Sequence, residues 1–357
     1  MHRPFLVLPL LSLTIGLAAC GTTPATPQVA AQPTTVLTAV SSPTTAPLPT
    51  SMPTRTVVLP TPTVPPTLTA ETTVATASSS TVPVTPTPGG FAKNIDVGGR
   101  TLHILCIGTG TPTVILDTGA GDTSDVWAAV QYRVGKATQV CVYDRANLGL
   151  SDPAPKPRTS QDMVKDLHTL LVNAHLAGPY VLVGHSIAGW NVRLFANQYP
   201  KEVAGIVLVD ASHPDQGPRM VAAIPPPSPG ESPDLTQYRQ GWTAPSPINS
   251  PDNPEGQDFE TSAVQVRASH SLGDIPLLVL TAGNHQQPPF ITAAVAAKLE
   301  QAWQAMQHEQ AGLSSNSIQI IAKDSDHCIH CDHPQIVSAA IQQVVDAAKH
   351  HTRLKTP

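Results

Sequence analysis

The sequence is poor in charged residues and lacks a long apolar run. Lysine, arginine, aspartate and glutamate make up 13% of the 357 residues, and the formal net charge is −5. No cluster of basic residues is present, which argues against a nucleic-acid partner, and the modest charge points to no strongly electrostatic partner. The apolar run at residues 5–19 is shorter than the roughly 20 residues needed to span a bilayer.

The N-terminus has the order of an export signal. A short basic start is followed by the apolar run at 5–19, which is typical of a secretory signal. Residues 17–21, LAACG, resemble the lipobox of bacterial lipoproteins, in which the cysteine, here Cys20, is lipidated and becomes the new N-terminus. The resemblance implies a signal peptide at 1–19 and an extracytoplasmic protein anchored to the bacterial membrane through Cys20. An ordinary secretory signal with an incidental cysteine is the alternative.

Residues 20–90 predict a disordered tether. Arg55 and Glu71 are the only charged residues in a segment made largely of Thr, Pro, Ala, Ser and Val. Proline favours extended backbone, and small polar residues bury too little apolar area to offset chain entropy. An extended tether of this length reaches roughly 200 Å at about 3.1 Å per residue. Its composition resembles O-glycosylated stalks.

Residues 91–357 predict a single α/β domain. Short β-rich runs alternate with helical patterns, as a parallel sheet covered on both faces requires. A helix is expected at 160–174, with Ser160 as its cap. Other helices are expected at 291–310 and 335–347. The predicted strands are 101–107, 113–116, 139–143, 180–183, 205–209, 276–280 and 317–321.

Ser186 is the leading candidate for a nucleophile. It follows a β-rich run and lies between small residues in the sequence GHSIAG at 184–189. A serine becomes a useful nucleophile when a tight strand-to-helix turn exposes it beside a base and near backbone amides. The alternative is an ordinary turn in a βα unit.

The domain resembles the α/β-hydrolases. The resemblance rests on segments 114–121 (VILDTGAG), 142–146 (VYDRA), 184–189, 207–213 (VLVDASH) and 326–327 (DH). It implies a mostly parallel central sheet flanked by helices, with a cap or lid at about 214–269 after the sixth strand. It also implies a nucleophile, an acid and a histidine in that chain order, which Ser186, Asp210 and His327 satisfy.

The histidine and the acid each have competitors. His327 follows the last predicted strand, where the family places its base, although His330 and His333 lie nearby. Family members commonly carry the acid after the seventh strand, but residues 281–287 contain no carboxylate, which leaves Asp210. The alternatives are that Asp210 only caps the turn into the lid, or that another carboxylate serves; Asp324 and Asp326 lie too close to His327 to be preferred.

The resemblance also implies an oxyanion hole made by the backbone amides of Ile187 and Ala120. The family often has His-Gly where this chain has Thr118-Gly119. Ala188 replaces a common glycine after the nucleophile, and Asp326 replaces the common glycine before the histidine. None of these changes removes a reacting group, although a weakened or specialised enzyme remains open.

The cysteines suggest two other possibilities. Cys328 and Cys331 form a Cys-x-x-Cys with histidines around it, but no second such pair completes a zinc site, so no metal is expected. Cys106 and Cys141 fall on strands that are neighbours in the family's sheet, and they either pair or remain buried thiols.

These features predict a lipid-anchored serine hydrolase that acts through an acyl-enzyme and without a cofactor. They favour a small-molecule carboxylic ester as its substrate. An amidase, an acyltransferase or a perhydrolase using the same triad is an alternative within enzymes. An inactive surface-tethered binding protein is the alternative from another class. The substrate and the oligomeric state are left open.

Overall fold

The computed structural model describes residues 90–243 and 246–355, and in this part the chain forms one sheet of eight strands and nine α-helices. The predicted signal peptide, Cys20 and the predicted tether up to residue 89 lie outside the described residues. None of the helices in the described part is both long and apolar enough to cross a bilayer. The strands are β1 Phe91–Asp96, β2 Thr101–Ile107, β3 Val114–Asp117, β4 Val140–Tyr143, β5 Tyr180–His185, β6 Val203–Val209, β7 Leu277–Ala282 and β8 Ser317–Ala322.

The sheet is mostly parallel, with strand order β1-β2-β4-β3-β5-β6-β7-β8. Strands β3 to β8 run parallel to one another, whereas β1 pairs with β2, and β2 with β4, in antiparallel fashion. The α/β class and the mostly parallel sheet predicted from the sequence are therefore confirmed. The helices are α1 Ala128–Val134, α2 Ser160–Asn173, α3 Ala188–Gln198, α4 Gln216–Ala223, α5 Pro233–Thr243, α6 Phe259–Arg267, α7 Ala293–Ala311, α8 Ile329–Asp332 and α9 Pro334–His350.

The central strands are buried on both faces because helices cover both sides of the sheet. Successive side chains of a strand point to opposite sides, so each side chain packs against one of the two helical layers. In β6, Ile206 and Leu208 pack with the apolar residues of α2, α3 and α6. Val207 and Val209 pack on the other side with α1 and α9. This arrangement explains why the strands read as unbroken apolar runs rather than alternating ones.

The residue that caps helix α2 lies one position earlier than the predicted cap. Thr159 caps the helix: its backbone is extended, and its hydroxyl and amide exchange hydrogen bonds with Asp162 in a capping box. The prediction of Ser160 as the cap was wrong, because Ser160 is already helical and buried and its amide donates to Ser262.

Along the chain, helices α4, α5 and α6 all lie in the segment that connects β6 to β7. Helices α4 and α5 contribute to an apolar cluster with α7, in which Met220 packs with Leu299, Trp303 and Met306. Helix α6 instead packs against α2 and α3. The lid expected at 214–269 stays a prediction.

Cys106 and Cys141 form a disulfide across the antiparallel pair β2 and β4, where they lie directly opposite each other. Of the two possibilities that the sequence leaves open, the structure adopts the pair. Closing a loop across a separation of 35 residues stabilises the folded chain by roughly 3–4 kcal/mol in a chain-entropy treatment.

Candidate active site

Ser186 lies in a sharp turn between β5 and α3. Its φ is +53°, in the left-handed region that non-glycine residues rarely occupy. The turn needs small neighbours: a Cβ on Gly184 would lie 2.6 Å from the carbonyl oxygen of Ala188, and one on Gly189 would lie 2.4 Å from the Cβ of Ala211. This geometry is the tight, strained strand-to-helix turn that the pattern at 184–189 predicts.

Asp210 follows β6 and is fully buried. Its Oδ1 accepts hydrogen bonds from the amide of Ala282 at 2.9 Å and from the indole of Trp303 at 2.8 Å. Its Oδ2 accepts from His327 Nδ1 at 2.7 Å and from His285 Nε2 at 2.8 Å. Burial alone would raise the pKa of Asp210, but the hydrogen bonds from the two histidines bring it below its usual range.

His327 lies in the loop between β8 and α8 and is fixed from three sides. Its Nδ1 donates to Asp210, its backbone amide donates to Asp326 Oδ1 at 2.7 Å, and its carbonyl oxygen accepts from His185 Nε2 at 3.1 Å. Burial holds the pKa of His185 well below its usual range, so His185 is neutral and carries its proton on Nε2. The Nε2 of His327 has no hydrogen-bond partner among the described residues, and His327 and Ser186 line the same cavity.

The structure therefore brings Ser186, Asp210 and His327 to one edge of the sheet, as their chain order predicts. Among the described residues no hydrogen bond joins the hydroxyl of Ser186 to His327, although both side chains line the same cavity. Such contacts are commonly long in ligand-free enzymes and shorten when substrate binds. Asp210 caps no helix here, since α4 begins after Asp215 and no side chain caps it.

The two predicted oxyanion donors are available. Ile187 immediately precedes α3, and Ala120 lies in the turn after β3. Neither backbone amide donates a hydrogen bond to any other described residue. Both amides are therefore free to donate to a ligand.

A buried arginine holds the turn that carries Ala120. The guanidinium of Arg145 donates to the carbonyl oxygens of Thr118 and Gly119, each at 2.7 Å. Glu255 accepts from Arg145 at 2.6 and 2.7 Å and from the amide of Gly121 at 3.0 Å. The support of this turn by Arg145 and Glu255 was not predicted from the sequence. Arg145 lies in segment 142–146, which belongs to the family resemblance, but no motif around Glu255 indicates that it contacts Arg145.

His285 is another residue of the candidate site that was not predicted from the sequence. It lies after β7, where the family commonly carries its acid, and it contacts Asp210 through Nε2 and Glu300 through Nδ1, each at 2.8 Å. Burial by itself would lower the pKa of His285, but its hydrogen bonds to Asp210 and Glu300 raise this pKa to about 10. Residues 281–287 contain no carboxylate of their own, and their sequence gives no sign that His285 contacts two carboxylates from elsewhere in the chain.

The cavity beside Ser186 has a volume of about 270 Å³. Helices α4, α5 and α7 supply its apolar wall, and Ser186, His285 and His327 lie on its polar side. It is small compared with typical ligand pockets of about 300–1,000 Å³, which favours a small substrate. The lining residues are Ser186, Ser212, Gln216, Met220, Trp242, His285, Gln287, Leu299, Glu300, Trp303 and His327.

Two groups of metal-ligating residue types occur among the described residues, and neither fits a resident metal. Cys328 and Cys331 are joined in a disulfide beside the buried His330, so no thiolate remains to bind an ion. Asp210, His285 and His327 lie close together, but their polar atoms are used in hydrogen bonds to one another, and a doubly protonated His285 has no lone pair to offer.

The sheet order, the turn at Ser186 and the three converging side chains define the class of the protein: a hydrolase built on a mostly parallel α/β sheet. Residues 112–350 match the model of the family described as alpha/beta hydrolase fold, and the chain belongs to this family. The sequence-based identification of the fold and the enzyme class is thereby confirmed.

Individual relatives agree with this assignment. The chain is 30% identical over 242 residues to the uncharacterized protein YqjL of Bacillus subtilis, covering 68% of this chain and 86% of that protein. It is also similar in fold to a bromoperoxidase from Bacillus anthracis, with a TM-score of 0.51 and 16% identity over 72% of this chain and 100% of that one. The structure of Lip1 from Acinetobacter baumannii gives a TM-score of 0.52 and 18% identity over 74% and 93% of the two chains.

Proposed function

We propose that the protein is a serine hydrolase that cleaves a carboxylic ester through an acyl-enzyme. The observation that carries the proposal is the placement of Ser186 and of His327, with Nδ1 bound to the buried Asp210, on one small cavity. The strained turn at Ser186 supports it further, as do the amides of Ile187, next to Ser186 in the chain, and of Ala120 in the turn after β3, which are unbonded among the described residues.

In the proposed reaction His327 Nε2 takes the proton of the Ser186 hydroxyl as the oxygen attacks the ester carbonyl. The amides of Ile187 and Ala120 donate to the oxyanion that forms. His327 then protonates the leaving alcohol. In the second half of the reaction His327 takes a proton from the water that attacks the acyl-enzyme, the acyl–Ser186 bond breaks to release the carboxylic acid, and His327 returns the proton to the Ser186 oxygen. Asp210 keeps the imidazole oriented and stabilises its protonated form.

A fluorophosphonate probe tests this proposal because it reacts with activated serines. We expect full-length protein in a cell lysate to be labelled, and Ser186→Ala to abolish the label. Ser212→Ala is the matched control, since Ser212 lines the same cavity but the proposal gives it no part in the reaction; the label of this variant should remain. A folded wild-type protein that stays unlabelled would favour the inactive binding protein, whereas labelling without ester turnover would favour another triad reaction.

We also propose that the domain acts outside the cytoplasm, held at the membrane by lipidated Cys20, with 214–269 as its lid. The signal-like sequence at 1–21 supports the anchoring. In a bacterial host, Cys20→Ser should abolish incorporation of a palmitate analogue and release the protein from the membrane fraction. Ser41→Cys added to that variant is the control, because a cysteine outside the lipobox sequence should not restore either property. A wild-type protein that incorporates no lipid would contradict the lipid anchor and favour an ordinary secretory signal at the N-terminus.

A further inference from the structure

The position of His285 between two carboxylates fixes its protonation. An ionised carboxylate only accepts hydrogen bonds, so a ring bonded to Asp210 through Nε2 and to Glu300 through Nδ1 must carry a proton on both nitrogens. Its side chain is only 15% exposed, so water screens the charge weakly. The acid that orients His327 is thus in direct contact with a second, cationic imidazole.

We propose that His285 is a positioning residue that shares the charge of Asp210 between two imidazoles and so keeps His327 unprotonated, and active as a base, to lower pH. This inference rests on the proposed serine hydrolysis. The two histidines bind the same oxygen, Asp210 Oδ2, and their ring centres lie 6.3 Å apart. A fixed cation at that distance opposes the addition of a second proton charge to His327.

The other groups around His327 do not replace this cation. Burial lowers the pKa of His330 to about 4 and holds that of His185 well below its usual range, so both rings are neutral near pH 7. The remaining charges near the two rings are carboxylates, which act in the opposite sense to His285. The titratable groups that face His327 or His285 are Asp122 after β3, His185 at the end of β5, Asp210 after β6, Glu300 on α7, Asp326 before His327, and His330 on α8.

The pH profile of kcat/KM for a nitrophenyl ester tests the inference. Replacing the cation in His285→Gln should make protonation of His327 easier and move the acid limb of the profile upward by about one to two pH units. Below the wild-type limb the variant should lose about tenfold or more in kcat/KM, while its alkaline plateau stays within a few fold. His285→Lys retains the charge and should restore the limb. His308→Gln is the matched control, because His308 is exposed on α7 and lies away from the site.

Two outcomes would overturn the inference. A uniform loss at every pH, with the limb unmoved, would make His285 merely structural, and a limb that moves downward would reverse the sign. If His285→Gln does not fold, nitrogen-15 NMR of the wild-type histidines decides: both ring nitrogens of His285 should remain protonated between pH 6 and 8, and a neutral tautomer there would refute the proposal. A wild-type protein without ester turnover or labelling fails the proposed function itself, whereas an active enzyme with an unmoved limb fails only this inference.

Discussion

Asp210→Asn is expected to lower kcat by about 10⁴, the size of loss seen when the orienting carboxylate of a serine triad is neutralised. The amide of asparagine can direct its NH₂ group toward His327 Nδ1, which then accepts rather than donates. The proton moves to Nε2, where it faces Ser186, and the ring can no longer take the hydroxyl proton. Turnover of a nitrophenyl ester at saturating substrate measures the loss.

The matched control is Asp326→Asn, an identical substitution beside the same histidine. Among the described residues, the side chain of Asp326 accepts only from the backbone amides of His327 and Gln286, so Asp326→Asn should change kcat by less than about tenfold. A larger loss in Asp326→Asn than in Asp210→Asn, or near-normal turnover in Asp210→Asn, would reject Asp210 as the acid. Unchanged thermal unfolding of both variants would exclude a trivial loss of fold.

The sequence predicted strands β2 to β8 because each is a short run rich in apolar residues, which the sheet buries almost completely in β3 to β7 and only partly in β2 and β8. Strand β1 was missed since Phe91–Asp96 is an edge strand with mostly exposed side chains, and so has no apolar run to recognise. Its pairing with β2 depends on backbone hydrogen bonds, which leave no pattern in the side chains.

The candidate site divides in the same way. Ser186, Asp210 and His327 could be predicted because each follows a recognisable strand and parallel strands end at the same edge. His285 could not, because its function depends on where α7 places Glu300. Arg145 and Glu255 are 110 residues apart, and nothing local to Glu255 indicates that it turns inward to meet a buried arginine.

That buried cluster carries the second large prediction. Arg145 contacts Asp117 and Glu255 at 2.6 Å, and the three side chains are at most 3% exposed. Removing the arginine in Arg145→Met leaves two carboxylates buried without their partner, and breaking such a pair costs about 3–5 kcal/mol. The free energy of unfolding, from denaturant titration, should fall by that amount. We also expect kcat to fall, because the carbonyls of Thr118 and Gly119 lose the donor that fixes the oxyanion turn.

Arg267→Met provides the matched control, because Arg267 pairs with Asp215 where both side chains are about 40% exposed, at 43% and 39%. Solvent screens such pairs, so the control should lose no more than about 1 kcal/mol. If Arg145→Met is too unstable to purify, Glu255→Gln keeps the shape while removing one charge, and it should show a smaller loss in both stability and kcat. Equal stability of Arg145→Met and Arg267→Met would show that the buried charges are satisfied by other groups. A destabilised Arg145→Met with unchanged kcat would separate the stability of the cluster from the position of Ala120, and would contradict a role for Arg145 in holding the oxyanion turn.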